Sequence, residues 1–110
     1  LKKKIPLFGI CYGAQFLAYK FKSNFKIKLD NIGNHKVFLR NEKKSINVNS
    51  YHNTTINKLG RDLIINGIAE DKSIEYFSHK TKKITGIQWH PERYKSFKKI
   101  DMKIIKSLCN

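Results

Sequence analysis

Hydrophobic positions change their period near the start of the chain. Residues 5–10 (IPLFGI) form an almost continuous apolar run, which is typical of a strand buried on both faces of a parallel sheet. From Ala14 to Phe21 the apolar residues recur at spacings of three and four, as they do on one face of a helix. Cys11-Tyr12-Gly13 lies between the two segments. The pattern therefore predicts a strand, a tight turn and a helix.

The rest of the chain is predicted to be mostly strands. Short alternating or apolar stretches bounded by turn-forming residues indicate strands at residues 25–29, 37–39, 45–48, 62–70, 74–78 and 84–89. Residues 51–55 (YHNTT) are polar, so we expect a loop there, followed by a helical turn at residues 56–59 that ends at Gly60. Apolar residues between positions 96 and 108 are spaced as in an amphipathic helix.

Cys11 is a candidate nucleophile because of its place in the segment Gly9-Ile10-Cys11-Tyr12-Gly13. A side chain at a sharp turn between a buried strand and a helix is expected to be exposed, with backbone N–H groups nearby to stabilise an oxyanion. The positive end of the helix also favours a thiolate. The alternative is a buried structural cysteine, since free cysteine is among the most buried residue types.

A second group of candidate residues, His90-Pro91-Glu92, follows the last predicted strand. Proline must end the strand there because it cannot donate to the ladder. A histidine and a carboxylate two residues apart in such a turn can approach each other, so Glu92 could orient His90 as a general base for Cys11. The alternative is an exposed loop of ordinary polar residues.

The two segments together resemble class I (triad-type) glutamine amidotransferases. PLFGICYGAQ is similar to the nucleophile motif of that family, and GIQWHPER is similar to its His-Pro-Glu motif. Residues 49–52 (NSYH) and 33–37 (GNHKV) resemble stretches of the γ-glutamyl hydrolase-like branch. The resemblance implies a flavodoxin-like α/β fold with three layers and a mixed sheet. Residues 1–110 would form one partial domain, the C-terminal half, with the N-terminal half and its oxyanion loop absent.

The same resemblance implies roles for individual residues. Cys11 would be the nucleophile, His90 the general base and acid, and Glu92 the residue that orients His90. The implied substrate-binding residues are Tyr12, Gly13, Gln15, Ser50, Tyr51 and His52. Tyr12 would offer a backbone N–H to the oxyanion, and Gln15 would contact the amino-acid head of the substrate. The implied reaction is hydrolysis of a γ-glutamyl amide through a γ-glutamyl thioester, with release of glutamate and with no cofactor or metal.

Charge and composition limit the expected partners. The formal net charge is +15, and lysine outnumbers arginine 20 to 3. Because the lysines are spread along the whole chain, we interpret them as a solvated surface that would suit an anionic γ-glutamyl compound, and not as a nucleic-acid interface. No apolar run reaches the roughly 18 residues of a membrane span. Two cysteines, Cys11 and Cys109, are too few for a disulfide framework, so we expect a reducing cytoplasm.

Two further functions stay open at this point. The chain could be a glutaminase module that supplies ammonia to a synthetase partner, or a truncated remnant without activity. The resemblance of residues 49–52 to the hydrolase-like branch favours free hydrolysis over the first. The second follows from the expected absence of the N-terminal half.

Overall fold

The computed structural model describes residues 6–27, 32–51, 54–90 and 99–109, with side chains except at 27, 32–34, 50, 51, 99 and 107–109. Its strands are β1 (Leu7–Ile10), β2 (Asn24–Ile27), β3 (Ile32–Leu39), β4 (Lys44–Tyr51), β5 (Thr54–Lys58), β6 (Leu63–Ala69), β7 (Ile74–His79) and β8 (Ile84–Ile87). Its helices are α1 (Tyr12–Lys20) and α2 (Lys99–Cys109). In this part of the chain neither helix has the length and apolar content that a bilayer span requires.

The strands form one mixed sheet in the order β1-β8-β7-β6-β3-β4, with β5 pairing with β7 and β2 pairing with β5. Only β1 and β8 are paired in parallel among the described strands, from Leu7 opposite Ile84 to Ile10 opposite Ile87. The carboxyl ends of these two strands therefore meet at one edge of the sheet. The antiparallel strand β7 begins at that same edge, since Tyr76 lies opposite Ile87. We call this edge of the sheet, at which β1 and β8 end, the Cys11 edge.

Two clusters of buried residues cover the two faces of the sheet. Phe77 and Ala14 belong to the cluster under α1, whereas Ile87 and Ile104 belong to the cluster under α2. Because neighbouring residues of a strand point to opposite faces, and Phe77 pairs with Gly86 next to Ile87, the two clusters lie on opposite sides. The arrangement is thus helix, sheet, helix, which gives the three layers that the sequence predicts.

One local prediction is wrong. Residues 54–58 form strand β5 and not a loop followed by a helical turn, and Tyr51 ends strand β4. Thr55 is only 4% exposed, and its hydroxyl donates a 3.1 Å hydrogen bond to the Lys26 carbonyl, so its polar group is satisfied inside the sheet. Gly60 is no helix cap: a Cβ there would overlap the Phe21 carbonyl oxygen, and its N–H donates to the Ser23 hydroxyl.

Candidate active site at the Cys11 edge

Cys11 is the single residue between β1 and α1, and its backbone is strained. Its φ of 52° and ψ of −104° lie outside the regions that residues with a side chain ordinarily occupy. Its N–H donates a 2.7 Å hydrogen bond to the Ile87 carbonyl, and its carbonyl accepts a 3.0 Å bond from the Gln15 N–H. The turn is therefore fixed on one side by β8 and on the other by the first turn of α1.

Glycine at position 9 lets the helix approach the strand closely enough to impose this turn. A Cβ on Gly9 would lie 2.6 Å from the Gly13 carbonyl carbon and 2.7 Å from the Ala14 nitrogen, distances that backbone atoms do not tolerate. Gly13 itself has open space where its Cβ would be. The close packing of α1 on β1 thus depends on Gly9, whereas Gly13 leaves the surface beside Cys11 unobstructed.

The expectation that the Cys11 side chain is exposed is wrong, because Cys11 is 0% exposed. The hydrogen bond from its N–H to the Ile87 carbonyl continues the pairing of β1 with β8, so Cys11 is still held against the sheet. Tyr12, the next residue, is 70% exposed. Burial alone would also fit a structural cysteine. A structural cysteine, however, requires neither the strained backbone nor the polar groups that gather around this edge.

Gln15 is held by two acceptors at this edge. Its Nε2 lies 3.0 Å from the Thr54 carbonyl oxygen and 3.3 Å from Oε1 of Gln88. A backbone carbonyl can only accept, so the Gln15 atom that faces Thr54 must be the nitrogen. Both donors of that nitrogen are then engaged, and Oε1 of Gln15 is left as an acceptor. The predicted substrate-binding residue therefore presents a carbonyl oxygen.

Gln88 was missed as a functional candidate. It follows β8, is 0% exposed, and its Nε2 has no hydrogen-bond partner among the residues that the structure describes. Its N–H donates a 2.8 Å bond to the Glu75 carbonyl, which fixes the backbone beside Gln15. A buried amide is costly unless it is paired. Its position within GIQWHPER, between two core residues, was the only signal in the sequence.

His90 lies at the end of the segment that leaves β8, and Asn49 of β4 binds its backbone. The Asn49 Nδ2 donates a 2.9 Å hydrogen bond to the His90 carbonyl, and the His90 N–H donates a 2.7 Å bond to Asn49 Oδ1. The preceding Trp89 is buried, and its indole N–H donates a 2.8 Å bond to Asp101 of α2. In the sequence, Asn49 was noted only as part of the NSYH segment, with no role of its own.

His35 and Glu75 form a further polar pair near this edge. The His35 Nε2 lies 3.2 Å from the Glu75 carboxylate, which is fully buried. The hydrogen bond to Glu75 raises the pKa of His35 above its ordinary value, burial opposes the shift, and the charges of Glu75, Asp71 and Glu70 add to the rise. No sequence spacing links positions 35 and 75, so the pair was not predictable.

The remaining predicted site residues are described in part or lie outside the described ranges. Ser50 and Tyr51 end strand β4 opposite Gly33 and Ile32, and their side chains are not described. His52 and Glu92 lie outside the described residues, so their predicted roles stay predictions. Tyr12 and Gly13 begin α1, where the first N–H groups have no partners within the helix. Within the described ranges, no group of three His, Cys, Asp or Glu could hold a metal ion.

Comparisons with known proteins agree with the fold and the motifs. A family model described as Glutamine amidotransferase class-I matches residues 1–106. A γ-glutamyl-CDP-amidate hydrolase of Campylobacter jejuni is 48% identical over 93 residues, which are 84% of this chain and 46% of the relative. A glutamine-hydrolyzing GMP synthase component of Picrophilus torridus is 32% identical over 79% of this chain and 50% of its own. The chain thus spans about half the length of these relatives.

Solved structures show the same architecture. A putative GMP synthase component from Thermoplasma acidophilum superposes with a TM-score of 0.81 at 26% identity, over 97% of this chain and 57% of the other. A glutamine amidotransferase from Thermotoga maritima superposes with a TM-score of 0.69 at 28% identity, over 83% and 42%. The predicted α/β fold is therefore confirmed, and the chain covers only part of the domain seen in those structures.

Proposed function

This chain belongs to the class I glutamine amidotransferase family, and from that premise we propose that it hydrolyses a γ-glutamyl amide with Cys11 as the nucleophile. The observation that carries the proposal is the backbone of Cys11, a residue with a side chain held at φ 52° and ψ −104° between β8 and α1. Such strain persists only where the surrounding structure imposes it, and it concentrates at active sites. The family motif assigns roles to four residues at this turn and in the first turn of α1, namely Cys11, Tyr12, Gly13 and Gln15.

In the proposed reaction His90 takes the proton of the Cys11 thiol while Glu92 orients the imidazole. The thiolate attacks the γ-carbonyl carbon, and the resulting oxyanion accepts hydrogen bonds from N–H groups at the start of α1, beginning with that of Tyr12. The C–N bond then breaks as His90 returns the proton to the leaving amine. Water, deprotonated by His90, attacks the γ-glutamyl thioester. Glutamate leaves and the Cys11 thiol is restored.

The orientation of Gln15 supports a γ-glutamyl group as the substrate. Its Nε2 is bound by Thr54 and Gln88, so its Oε1 is the atom that can accept from a donor. The α-ammonium of a γ-glutamyl group is such a donor, and a carboxylate in that position would meet an oxygen instead. Ser50, Tyr51 and His52, which continue from Asn49, are the proposed contacts to the rest of the amino-acid head.

The leaving group is proposed to be anionic. The formal net charge of +15 favours a negatively charged ligand near the surface. The Campylobacter relative is named for a γ-glutamyl-CDP-amidate, a nucleotide-linked compound of this kind. A γ-glutamyl amide of a nucleoside phosphate is therefore the first substrate to test, in a reducing buffer that matches the expected cytoplasmic setting.

The test is glutamate release from a panel of γ-glutamyl amides. We expect turnover of a nucleotide-linked amide to exceed that of L-glutamine and of a neutral anilide, and we expect Cys11→Ser to abolish it. Equal turnover of neutral and anionic amides would contradict the anionic leaving group and keep the hydrolase. No glutamate from any compound would contradict hydrolysis by this chain and favour the inactive remnant.

A second candidate function rests on the relatives that are components of GMP synthase. In that case the chain would be a glutaminase that passes ammonia to a synthetase, and its protein partner would be that synthetase or a segment that supplies the other half of the domain. Glutamate formed from L-glutamine only after a synthetase is added would favour this candidate. Release of glutamate by the protein alone would favour the free hydrolase.

A further inference from the structure

We propose that Asn49 is a positioning residue that holds the backbone of His90 in place at the Cys11 edge. The inference rests on the proposed function, because the position of His90 matters for catalysis only if His90 is the base. It adds a residue that the motif assignments leave without a role. It also links the proposed base directly to strand β4.

The contact between Asn49 and His90 is a closed pair of hydrogen bonds. The carboxamide oxygen accepts from the His90 N–H at 2.7 Å, and the carboxamide nitrogen donates to the His90 carbonyl at 2.9 Å. Since a backbone N–H can only donate and a backbone carbonyl can only accept, both side-chain atoms are assigned without ambiguity. Asn49 is 5% exposed, so water competes little with these bonds.

The two hydrogen bonds from Asn49 take the place of strand pairing, which ends before the chain reaches His90. Strand β8 ends at Ile87, and the last backbone bond toward β7 runs from the Gln88 N–H to Glu75. Pro91 has no N–H with which to continue a ladder. The carboxamide of Asn49 offers one donor and one acceptor, as a peptide group of a neighbouring strand would. It therefore keeps the backbone of His90 ordered after the strand has ended.

The residues around His90 are consequently held from two sides. The Trp89 indole is bound to Asp101 in α2, and the His90 backbone is bound to Asn49 in β4. Asn49 is followed in β4 by Ser50 and Tyr51, the proposed substrate contacts. A displacement of the end of β4 would thus move the proposed base together with the proposed binding segment.

The proposal predicts a change in how Cys11 reactivity depends on pH. A base that is displaced by about 1 Å can cost on the order of 100-fold in rate, because the reacting groups lose their alignment. We expect His90 to keep Cys11 reactive at a pH where an unassisted thiol, with a pKa near 8.5, is mostly protonated. Asn49→Ala removes both hydrogen bonds and should lower the rate at pH 6 by roughly tenfold or more.

The experiment measures the rate of Cys11 alkylation by iodoacetamide from pH 5 to pH 10, in a Cys109→Ser background. The variants are Asn49→Ala, Asn49→Asp, His90→Asn and Asn66→Ala. Asn66 is a matched control, since it is also a buried asparagine with a side-chain hydrogen bond, a 2.8 Å bond to Ser78. Its removal should lower the thermal unfolding temperature and leave the shape of the pH profile unchanged.

Asn49→Asp keeps the acceptor for the His90 N–H and loses the donor to the His90 carbonyl, so we expect an intermediate profile. If Asn49→Ala does not fold, Asn49→Asp, with nearly the same volume, decides the question. A wild-type profile in the folded Asn49 variants, together with a loss of low-pH reactivity in His90→Asn, would overturn the positioning role and keep the proposed function. A wild-type profile in His90→Asn would instead overturn His90 as the base.

Discussion

Among the turns that place a residue with a side chain at positive φ, those at Lys72 and Cys11 are held in different ways. At Lys72, with φ 76°, the hydrogen bonds are local: its N–H donates to the Ala69 carbonyl, and the Ser73 N–H donates to the Asp71 carboxylate. At Cys11, with φ 52°, the N–H binds across the sheet to Ile87. Local turn chemistry suffices for the first turn, whereas the second depends on tertiary packing.

The two turns also differ in burial and in backbone conformation. Lys72 is exposed in the hairpin between β6 and β7, where a left-handed residue commonly closes a short loop. Cys11 is fully buried, and its ψ of −104° takes it out of the left-handed helical region. Backbone strain that no local rule explains, held by packing at the end of a parallel strand, therefore distinguishes the Cys11 turn, where we propose the nucleophile, from the hairpin turn.

The largest loss of stability is expected from Gly9→Ala, which disrupts the close packing of α1 on β1 that imposes the Cys11 turn. The new Cβ would meet the backbone of Gly13 and Ala14, so we expect a loss of about 3 kcal/mol or more of unfolding free energy. Gly13→Ala is the matched control, because open space surrounds its Cβ and alanine favours a helix by about 0.5–1 kcal/mol. Urea unfolding compares the two, and equal losses would contradict the packing account.

A second prediction concerns the sign of a substitution at Cys11. Alanine is ordinarily more stable than glycine in a strand or helix by about 0.5–1 kcal/mol. At φ 52° a Cβ is strained by about 1–3 kcal/mol, so Cys11→Gly should be more stable than Cys11→Ala. Thermal unfolding should show the glycine variant higher by several degrees, since about 1 kcal/mol corresponds to roughly 4–8 °C in a small domain. The ordinary order would mean that the Cys11 backbone is not strained.

A smaller effect is expected at the other turn. Lys72→Gly removes a Cβ from a left-handed position and leaves the hydrogen bonds of the turn in place, so it should stabilise the protein by about 0.5–1 kcal/mol. Alkylation of Cys11 should proceed at the wild-type rate, because none of the hydrogen bonds described for the hairpin turn reaches the Cys11 turn. A change in that rate would show that the hairpin turn also contributes to the site.

The smallest expected effect is a change in the pKa of His35 when a charge in the hairpin turn is removed. The charges of Asp71 and Glu70 contribute to the raised pKa of His35, after the hydrogen bond to Glu75. Asp71→Asn keeps an oxygen for Ser73 and should lower the pKa of His35 slightly in an NMR titration. Glu75→Gln should lower it more, because it removes the largest cause. Equal shifts in the two variants would contradict that order of causes.

The raised pKa of His35 also fixes the sign of a stability change. The folded protein binds the proton of His35 more tightly than the unfolded chain does, so protonation of His35 adds to the free energy of unfolding. This stabilisation is complete below the unfolded pKa of about 6.5 and is lost as the pH rises through the higher folded pKa. Denaturant unfolding of the wild type should show this loss, and His35→Gln should not. The opposite slope would mean that burial outweighs the contact with Glu75.

The strand, turn and helix around Cys11 could be predicted from the sequence because their signals are local. The apolar run of β1, the glycines and the helical spacing of α1 all lie within a short segment. The helical turn predicted at residues 56–59 was wrong because burial of Thr55 depends on the Lys26 carbonyl in another strand. The polar contacts around the candidate site were not predictable for the same reason, because they join residues that are distant in the sequence.

The contact between Asn49 and His90 joins residues 41 positions apart, and the one between Gln15 and Gln88 joins residues 73 positions apart. No periodicity or spacing indicates such pairs, since they arise only when β4, β8 and α1 meet at one edge. Which residues react therefore stays a prediction from the motifs, and the structure adds the hydrogen bonds around Gln15 and His90. Glu92 and His52, outside the described ranges, stay predictions from the motifs alone.

The central claim is that Cys11 is a nucleophile activated at this edge. The most direct measurement is peptide mass spectrometry after treatment with a diazo-ketone analogue of glutamine, for the wild type, Cys11→Ser and His90→Asn. The account predicts one adduct on Cys11, none in Cys11→Ser and slower formation in His90→Asn. Equal labelling of Cys11 and Cys109, or no adduct on folded protein, would contradict it.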